Sequence, residues 1–249
     1  MGRYRVGDTV HSNNCGVFKI LSKTGNDNKR LIQFLSTGCE YRVDISSINK
    51  GEVKDYLLPS VFGVGVVGVN SISTHQKPHQ EYVFWNSMLQ RCYDLSYKLK
   101  RPTYIGCTSS NNFKYYPYFK DWCNKQVGFG NKGWCLDKDI LVKGNKLYSE
   151  DTCCFVPREI NSLFALSGNT RGLNPIGVQF NLEEGNYSAR VSRDGKHCHI
   201  GTYETKEDAF LWYKEAKESH IKSVAKRWFG KIDQNVFNAL MTYEVGILD

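Results

Sequence analysis

The residues best equipped for chemistry crowd into one stretch, "WCLDKDILVKGNKLYSEDTCCFVPREINSLF", residues 134–164. Asp137 and Asp139 flank Lys138, Asn145 sits in a polar loop, and Asn161 lies just past a second apolar run. Asp137, Asp139 and Asn161 offer oxygen ligands suited to a hard cation such as Mg²⁺. A metal held there activates bound water with less help from a side-chain base. A lysine amine is ordinarily protonated at neutral pH, so a lysine beside these oxygens suits stabilising phosphate charge. It serves as a base only where burial or nearby cations strip its proton. Lys146, between two of the candidate ligand positions, is placed to touch nucleic acid. Arg91 and Tyr148 are further phosphate candidates, although a helix-surface arginine and a partly core tyrosine are the simpler readings.

The segment reads strand, loop, strand, helix start, as "CLDKDIL", "VKGNKLYSEDT", "CCFVP" and "REINSLF". This resembles the ββα-metal motif of HNH endonucleases, in the form carried by phage and intron-encoded homing endonucleases beside DNA-binding modules. Asp137 matches the acid before the motif's first histidine, Asn145 the loop asparagine, and Asn161 the closing residue of the helix. Lys138 stands where the histidine belongs, so the usual proton acceptor for water is missing. The pattern of Trp85, Met88, Leu89, Arg91 and Cys92, followed by "YIGC", also resembles a class of phage-encoded proteins with a variable C-terminal module. The resemblance implies a DNA endonuclease or nickase using Mg²⁺ or another divalent cation. Its catalytic centre would hold Asp137, Lys138, Asn145 and Asn161, with Asp137, Asp139 and Asn161 on the metal. The alternative is a degenerate scaffold within a non-catalytic DNA-binding regulator or phage factor that acts on host machinery. A third reading is a protein–protein module that blocks a host enzyme.

Residues 171–228 carry a second set of polar residues at strand spacing. "IGVQFNL" reads as a strand turned at Glu184-Gly185, and "NYSARVSR" as a second strand. Asp194-Gly195 is a tight-turn signal, and "KHCHIGTY" follows as a third strand. Thr205 then caps a helix, with Asp208 three residues on. Ala209, Trp212, Tyr213 and Ala216 form the helix face toward the sheet, extended by Ile221 and Val224. The strand period of two puts Ala189 and Val191 against the helix, and Ser188, Arg190 and Ser192 on the other side. Through "YSARV" and "GKHCHIGTYETKEDAFLWYKEA" the segment resembles the three-stranded DNA-binding domain of plant ethylene-response factors and integrase N-termini, the AP-two module. That resemblance implies a sheet entering the major groove, with Arg190, Arg193, Lys196 and His199 on the DNA side and Gln179 and Asn181 joining them. Arginine can pair bidentately with guanine, while Lys196 would position the protein through phosphate. Gln179 and Asn181 stand where the family carries arginines, so its sequence preference does not carry over.

Other elements must hold these groups in place. Residues 3–55 read as short β-rich runs punctuated at Gly7-Asp8, Cys15-Gly16, Gly25-Asn26 and Gly38. Four or five strands in about fifty residues predict a small barrel that closes its own edges, resembling Tudor or KOW barrels. Residues 56–79 read as a connector, with His75 and His79 as solvated loop residues; its glycines match no GxGxxG pattern. Tyr82, Trp85, Met88, Leu89 and Cys92 recur at helical spacing. "NNFKYYPYFKDWCNKQ" reads as another helix that starts near Pro117. The expected fold is α+β and multi-domain: a barrel over 1–58, a ββα-metal-like domain over 80–168, a sheet-plus-helix module over 171–228, and a tail over 229–249. The tail is expected to form a short helix packing back on the module or on a partner.

Composition bounds these readings. The net charge of +8, from 33 Lys and Arg against 25 Asp and Glu, favours a polyanion, because cations at phosphates release condensed counterions. Charge alone fits a basic soluble protein equally well; duplex DNA is the partner that the two resemblances imply. A charged fraction of 23% is near the globular average of about 25%, which excludes a disordered tail. The nine cysteines contain no CxxC pair. Cys107, Cys123, Cys135 and Cys153 or Cys154 are irregularly spaced for zinc, so a structural Zn²⁺ is not expected. A reducing cytoplasm is the expected setting, the host's if the protein is phage-encoded. No secretory leader is expected, and no apolar run approaches the ~20 residues of a membrane helix.

Overall fold

The computed structural model describes residues 4–23, 28–69, 79–164 and 174–247. The expected turn at Gly25-Asn26 and the loop histidine His75 lie outside the described residues. The chain is mixed α/β with several separate sheets. It divides into two compact units, residues 1–125 with 146–151 and residues 126–145 with 152–249. The expected central domain, 80–168, is thus shared between them.

The first unit begins with an antiparallel meander: β1 (Thr9–Ser12), β2 (Gly16–Lys23), β3 (Lys29–Phe34) and β4 (Glu40–Asp44). Alternation puts Phe18, Ile20, Ile32 and Phe34 on one side, all completely buried. Helix α1 (Ile45–Lys50) follows, and Ile48 and Val53 complete that core. Gly51 stops the helix in a left-handed conformation, φ 68°, sending its N–H to the Ile48 and Ser47 carbonyls. The expected barrel is not closed: the sheet is open, in the order β1-β2-β3-β4. After β4 the chain enters α1 instead of returning as a strand. It reaches the end of β1 through isolated bonds, among them Asn13 N–H to the Gly51 carbonyl (2.9 Å), Asn13 Nδ2 to the Lys50 carbonyl (3.0 Å) and Ser12 Oγ to the Val53 carbonyl (2.6 Å).

The rest of the first unit is helical. On α2 (Gln80–Tyr93) Trp85, Met88, Leu89 and Cys92 are buried, as their spacing predicts. The described part of the expected connector packs here as well. Val66 bridges Tyr115, and a Cβ on Gly65 would fall 2.5 Å from Leu89 Cδ1 and 2.9 Å from Trp85 Cη2. Glycine is therefore the residue that lets this backbone lie on α2. Asp94 caps α3 (Leu95–Lys100) by accepting the Ser96 and Tyr97 N–H groups. Two-residue strands β5 (Thr108–Ser109) and β7 (Leu147–Tyr148) pair in parallel. Helix α4 (Tyr116–Asn124) carries proline in its first turn and buries Phe119, Trp122 and Cys123.

In the second unit β6 (Trp134–Asp137) pairs antiparallel with β8 (Cys154–Pro157), and α5 (Arg158–Ser162) follows directly. A three-stranded sheet of β9 (Val178–Asn181), β10 (Asn186–Arg193) and β11 (Lys196–Tyr203) has β10 at its centre. Asp194 (φ 49°) and Gly195 (φ 76°) both take positive φ between β10 and β11, as a two-residue hairpin turn requires. The helix α6 (Lys206–Arg227) starts at Thr205, whose Oγ1 accepts the Asp208 N–H. Its first half sets Ala209 and Tyr213 against Val178, Ala189 and Val191. Its second half sets Ile221, Val224 and Ala225 against Cys154, Val156 and Ile160, together with Val236 and Leu240 of α7 (Gln234–Met241). Each such fully buried aliphatic side chain contributes roughly 1.5–3 kcal/mol. One helix thus joins the β6–β8 hairpin and the three-stranded sheet into one unit. Trp212 meets the sheet at its margin: it is 49% exposed and stacks on Tyr203, the last residue of β11, at 6.3 Å. No helix among the described residues is long and apolar enough to cross a membrane.

Candidate functional site

The β6 strand ends at Asp137, and its carboxylate closes the turn that follows. Asp137 Oδ1 accepts the N–H groups of Asp139 and Ile140, each at 2.9 Å. Lys138 turns inward, its side chain only 8% exposed. Its Nζ donates to Asp139 Oδ2 at 3.0 Å and to the Asn145 carbonyl at 2.8 Å. Asn145 answers by donating its Nδ2 to the Lys138 carbonyl at 2.7 Å. Lys138 and Asn145 therefore clamp the loop reciprocally. With two of its hydrogens directed at a carboxylate and a carbonyl, the Lys138 amine is engaged in holding the loop.

Burial first, and then the neighbouring Asp139 carboxylate, push the Asp137 carboxyl up to about 6 against the two N–H groups that stabilise its charge. Across the ladder from Asp137 lies Cys154; burial first, and then the charge of Asp137, push its thiol well above the usual range. Asn161 sits on α5, and among the described residues no hydrogen bond joins its amide to Asp137, Lys138 or Asp139. Lys146 belongs to the first unit, where its Nζ donates to the Thr103 carbonyl at 2.8 Å. The structure thus joins Asp137, Lys138, Asp139 and Asn145, and does not tie Asn161 or Lys146 to them. Among the described residues no group of three or more His, Cys, Asp and Glu side chains is arranged to hold a metal. The Asp139 carboxylate already has the Lys138 ammonium beside it.

The second candidate is the face of the β9–β10–β11 sheet turned away from α6. The register aligns Gln179, Ser188 and Thr202 in one row, Arg190 with His199 in the next, and Ser192 with His197 in the last. Asn181 and Asn186 form a row at the other end. Ser192 Oγ and His197 Nδ1 are 3.0 Å apart. Gln179, Arg190, His199 and Thr202 are exposed. None of these rows contains a carboxylate or an aliphatic side chain.

Arg193 and Lys196 pair with each other at the hairpin end, on the side shared with Val191 and Cys198. Arg193 reaches back to the Ala216 carbonyl of α6, with Nη2 at 3.3 Å. They therefore flank the hairpin tip and are not part of the open face. Ser188 and Ser192 lie on that face, as strand periodicity predicts, and His197 and Thr202 join them although the sequence reading did not name them. His197 shares the parity of His199, whereas the irregularity between Ala189 and Arg190 hides Thr202. The tip itself is anchored: Arg227 of α6 pairs with Asp194 (3.3 Å) and with Glu159 of α5, whose other oxygen accepts Trp228 Nε1 at 2.6 Å.

Comparison with protein-family models, with curated proteins and with solved structures found no match to this chain.

Proposed function

We propose that the chain binds duplex DNA across the open face of the β9–β10–β11 sheet, in the manner of the AP-two-like module that residues 171–228 resemble. The observation that carries this reading is the face itself: rows of amide, hydroxyl, imidazole and guanidinium groups with no carboxylate among them, backed by a buried apolar layer. Such a face offers hydrogen bonds to base edges from Arg190, His199 and Gln179, and a β-ribbon fits the major groove. Arg193 and Lys196 at the hairpin tip suit phosphates, which position without specifying sequence. The β6–β8 hairpin and α5 are then a degenerate HNH-like scaffold, in a DNA-binding regulator or phage factor working in a cytoplasm.

Binding of a labelled duplex, followed by fluorescence anisotropy at several salt concentrations, tests this. Arg190→Ala should weaken binding by about tenfold or more, corresponding to ~1–3 kcal/mol. Arg190 is exposed, so the fold survives its removal. Affinity unchanged at every salt concentration refutes the reading.

A second reading, phosphodiester cleavage, is favoured by one arrangement: an acidic pair with a buried amine at the end of a strand in a strand–strand–helix segment. It requires a divalent cation to displace Lys138 from Asp139. Nicking of supercoiled plasmid with Mg²⁺ or Mn²⁺, lost in both Asp137→Ala and Asn161→Ala, supports it. Tight duplex binding without nicking leaves the first reading alone.

A further inference from the structure

In the first unit, Arg91 occupies the last turn of α2 but does not point freely into water. Its guanidinium carbon lies 5.5 Å from the centre of the Tyr104 ring, and Nη1 is 3.5 Å from Tyr148 Oη. Its Nε is buried without a hydrogen-bond partner. Among the described residues no carboxylate pairs with Arg91. A guanidinium has five donors, and the single contact recorded is at the outer limit of hydrogen-bond length. A partly buried charge left so poorly satisfied is costly unless something else completes it.

The surroundings point to an anion. Between residues 82 and 120 the chain carries six Lys or Arg and one carboxylate, Asp94. Asp94 is already occupied in capping α3. Lys98 and Lys100 lie on α3, Arg101 follows it, and Lys146 is bonded to the carbonyl of Thr103, the neighbour of Tyr104. Tyr97 lies 5.8 Å from Tyr104, ring to ring, and Leu95 and Leu99 are exposed beside these cations. Arginine and lysine interleaved with the half-buried rings of Tyr97 and Tyr104 and the exposed Leu95 and Leu99 form a surface suited to a nucleic-acid strand.

We propose that Arg91, framed by Tyr104 and Tyr148 and flanked by the cations of α3 and by Lys146, forms a phosphate site whose ligand is the phosphodiester backbone of nucleic acid. The arginine fork gives paired hydrogen bonds to phosphate oxygens, and the neighbouring lysines add charge without fixed geometry. The identity of the ligand rests on the nucleic-acid reading above; the existence of the phosphate site does not.

The test uses the full chain and inorganic phosphate, followed by phosphorus NMR line broadening. The native chain and Lys19→Ala, which removes an exposed cation from β2, should broaden the phosphate line alike. Arg91→Gln should weaken apparent phosphate affinity by about tenfold or more, with its near-ultraviolet circular dichroism unchanged. If Arg91→Gln does not fold, the surface double variant Lys98→Ser/Arg101→Ser must weaken the affinity instead. A native chain that does not broaden the line overturns the proposal, as does a folded Arg91→Gln that broadens it fully. Added duplex should displace phosphate and sharpen the line. Broadening that duplex does not reverse overturns the nucleic-acid assignment in favour of a free phosphate. The phosphate measurement does not involve the sheet face, so it stands or falls independently of Arg190→Ala.

Discussion

Asp137→Asn should stabilise the second unit at neutral pH and above. Asp137 is partly buried and beside Asp139, and its carboxyl is pushed up to about 6 from an ordinary 3.8. A folded-state pKa above the unfolded value means that the folded state holds the proton more tightly. Between roughly pH 4 and 6 folding therefore takes up a proton, and stability falls as pH rises through that window. Above it the full penalty is present. At about 1.4 kcal/mol per unit, a shift of roughly two units costs about 3 kcal/mol; partial exposure makes this an upper bound. Asparagine keeps the Oδ1 that accepts the Asp139 and Ile140 N–H groups and removes the charge. The expected gain is about 2 kcal/mol at pH 8 and close to none at pH 4. Urea unfolding at both values, read from the fluorescence of Trp134 and Trp228 in the same unit, measures it as a shifted midpoint at constant slope. A variant less stable at pH 8, with the native pH dependence intact, refutes the reasoning. Lys138 would then hold both carboxylates as a favourable ion cluster.

Gly177→Ala should unfold or severely weaken the sheet module. At φ 75° the new Cβ would meet the Tyr213 ring carbons at 2.0–2.4 Å, and Tyr213 is a buried core residue. A loss of about 3 kcal/mol or more in urea unfolding is expected from overpacking together with backbone strain; a loss under about 1 kcal/mol contradicts it. Trp85→Phe removes the donor to the Phe113 carbonyl (2.8 Å) within a fully buried site. The unsatisfied carbonyl and the small void should together cost about 2–4 kcal/mol in the first unit, readable as a fall in its thermal midpoint.

Legibility followed the range of the interaction. The α2 face, the Thr205 cap and the Asp194-Gly195 turn depend on residues within one or two turns of each other, and the spacing in the sequence is enough to read them. The strand order around Asp137 was readable for the same reason. What failed required distant partners. The barrel prediction counted strands but could not see that the chain after β4 would coil into α1. Trp212 fits the helical stripe and meets the sheet through Tyr203 at the end of β11, but its position at the sheet margin leaves it half exposed. On β11 the bulge between Ala189 and Arg190 pairs His199 and Gly201 with successive β10 residues. Ile200 is skipped, so simple alternation puts His199 and Thr202 on opposite faces although they share one. The resemblance implies Arg193 on the DNA side, whereas its parity with Val191 and its bond to the Ala216 carbonyl turn it toward the helix.

Lys138 decides what the strand-end cluster can host. A divalent cation on Asp139 would share that carboxylate with an ammonium 3.0 Å from Asp139 Oδ2. At an effective dielectric near 20, a double and a single positive charge at about 4 Å repel by on the order of 8 kcal/mol. Lys138 would have to leave, and leaving abandons the Asn145 carbonyl and loosens a clamp made from both ends of the loop. Cleavage by the native chain would therefore require Lys138 and the loop to move, with Asp137 and Asp139 the carboxylates that would hold a divalent cation. Binding without cleavage has the simpler cause: the lysine supplies internally the positive charge that a metal would bring, and the carboxylates hold the loop instead of a reacting water.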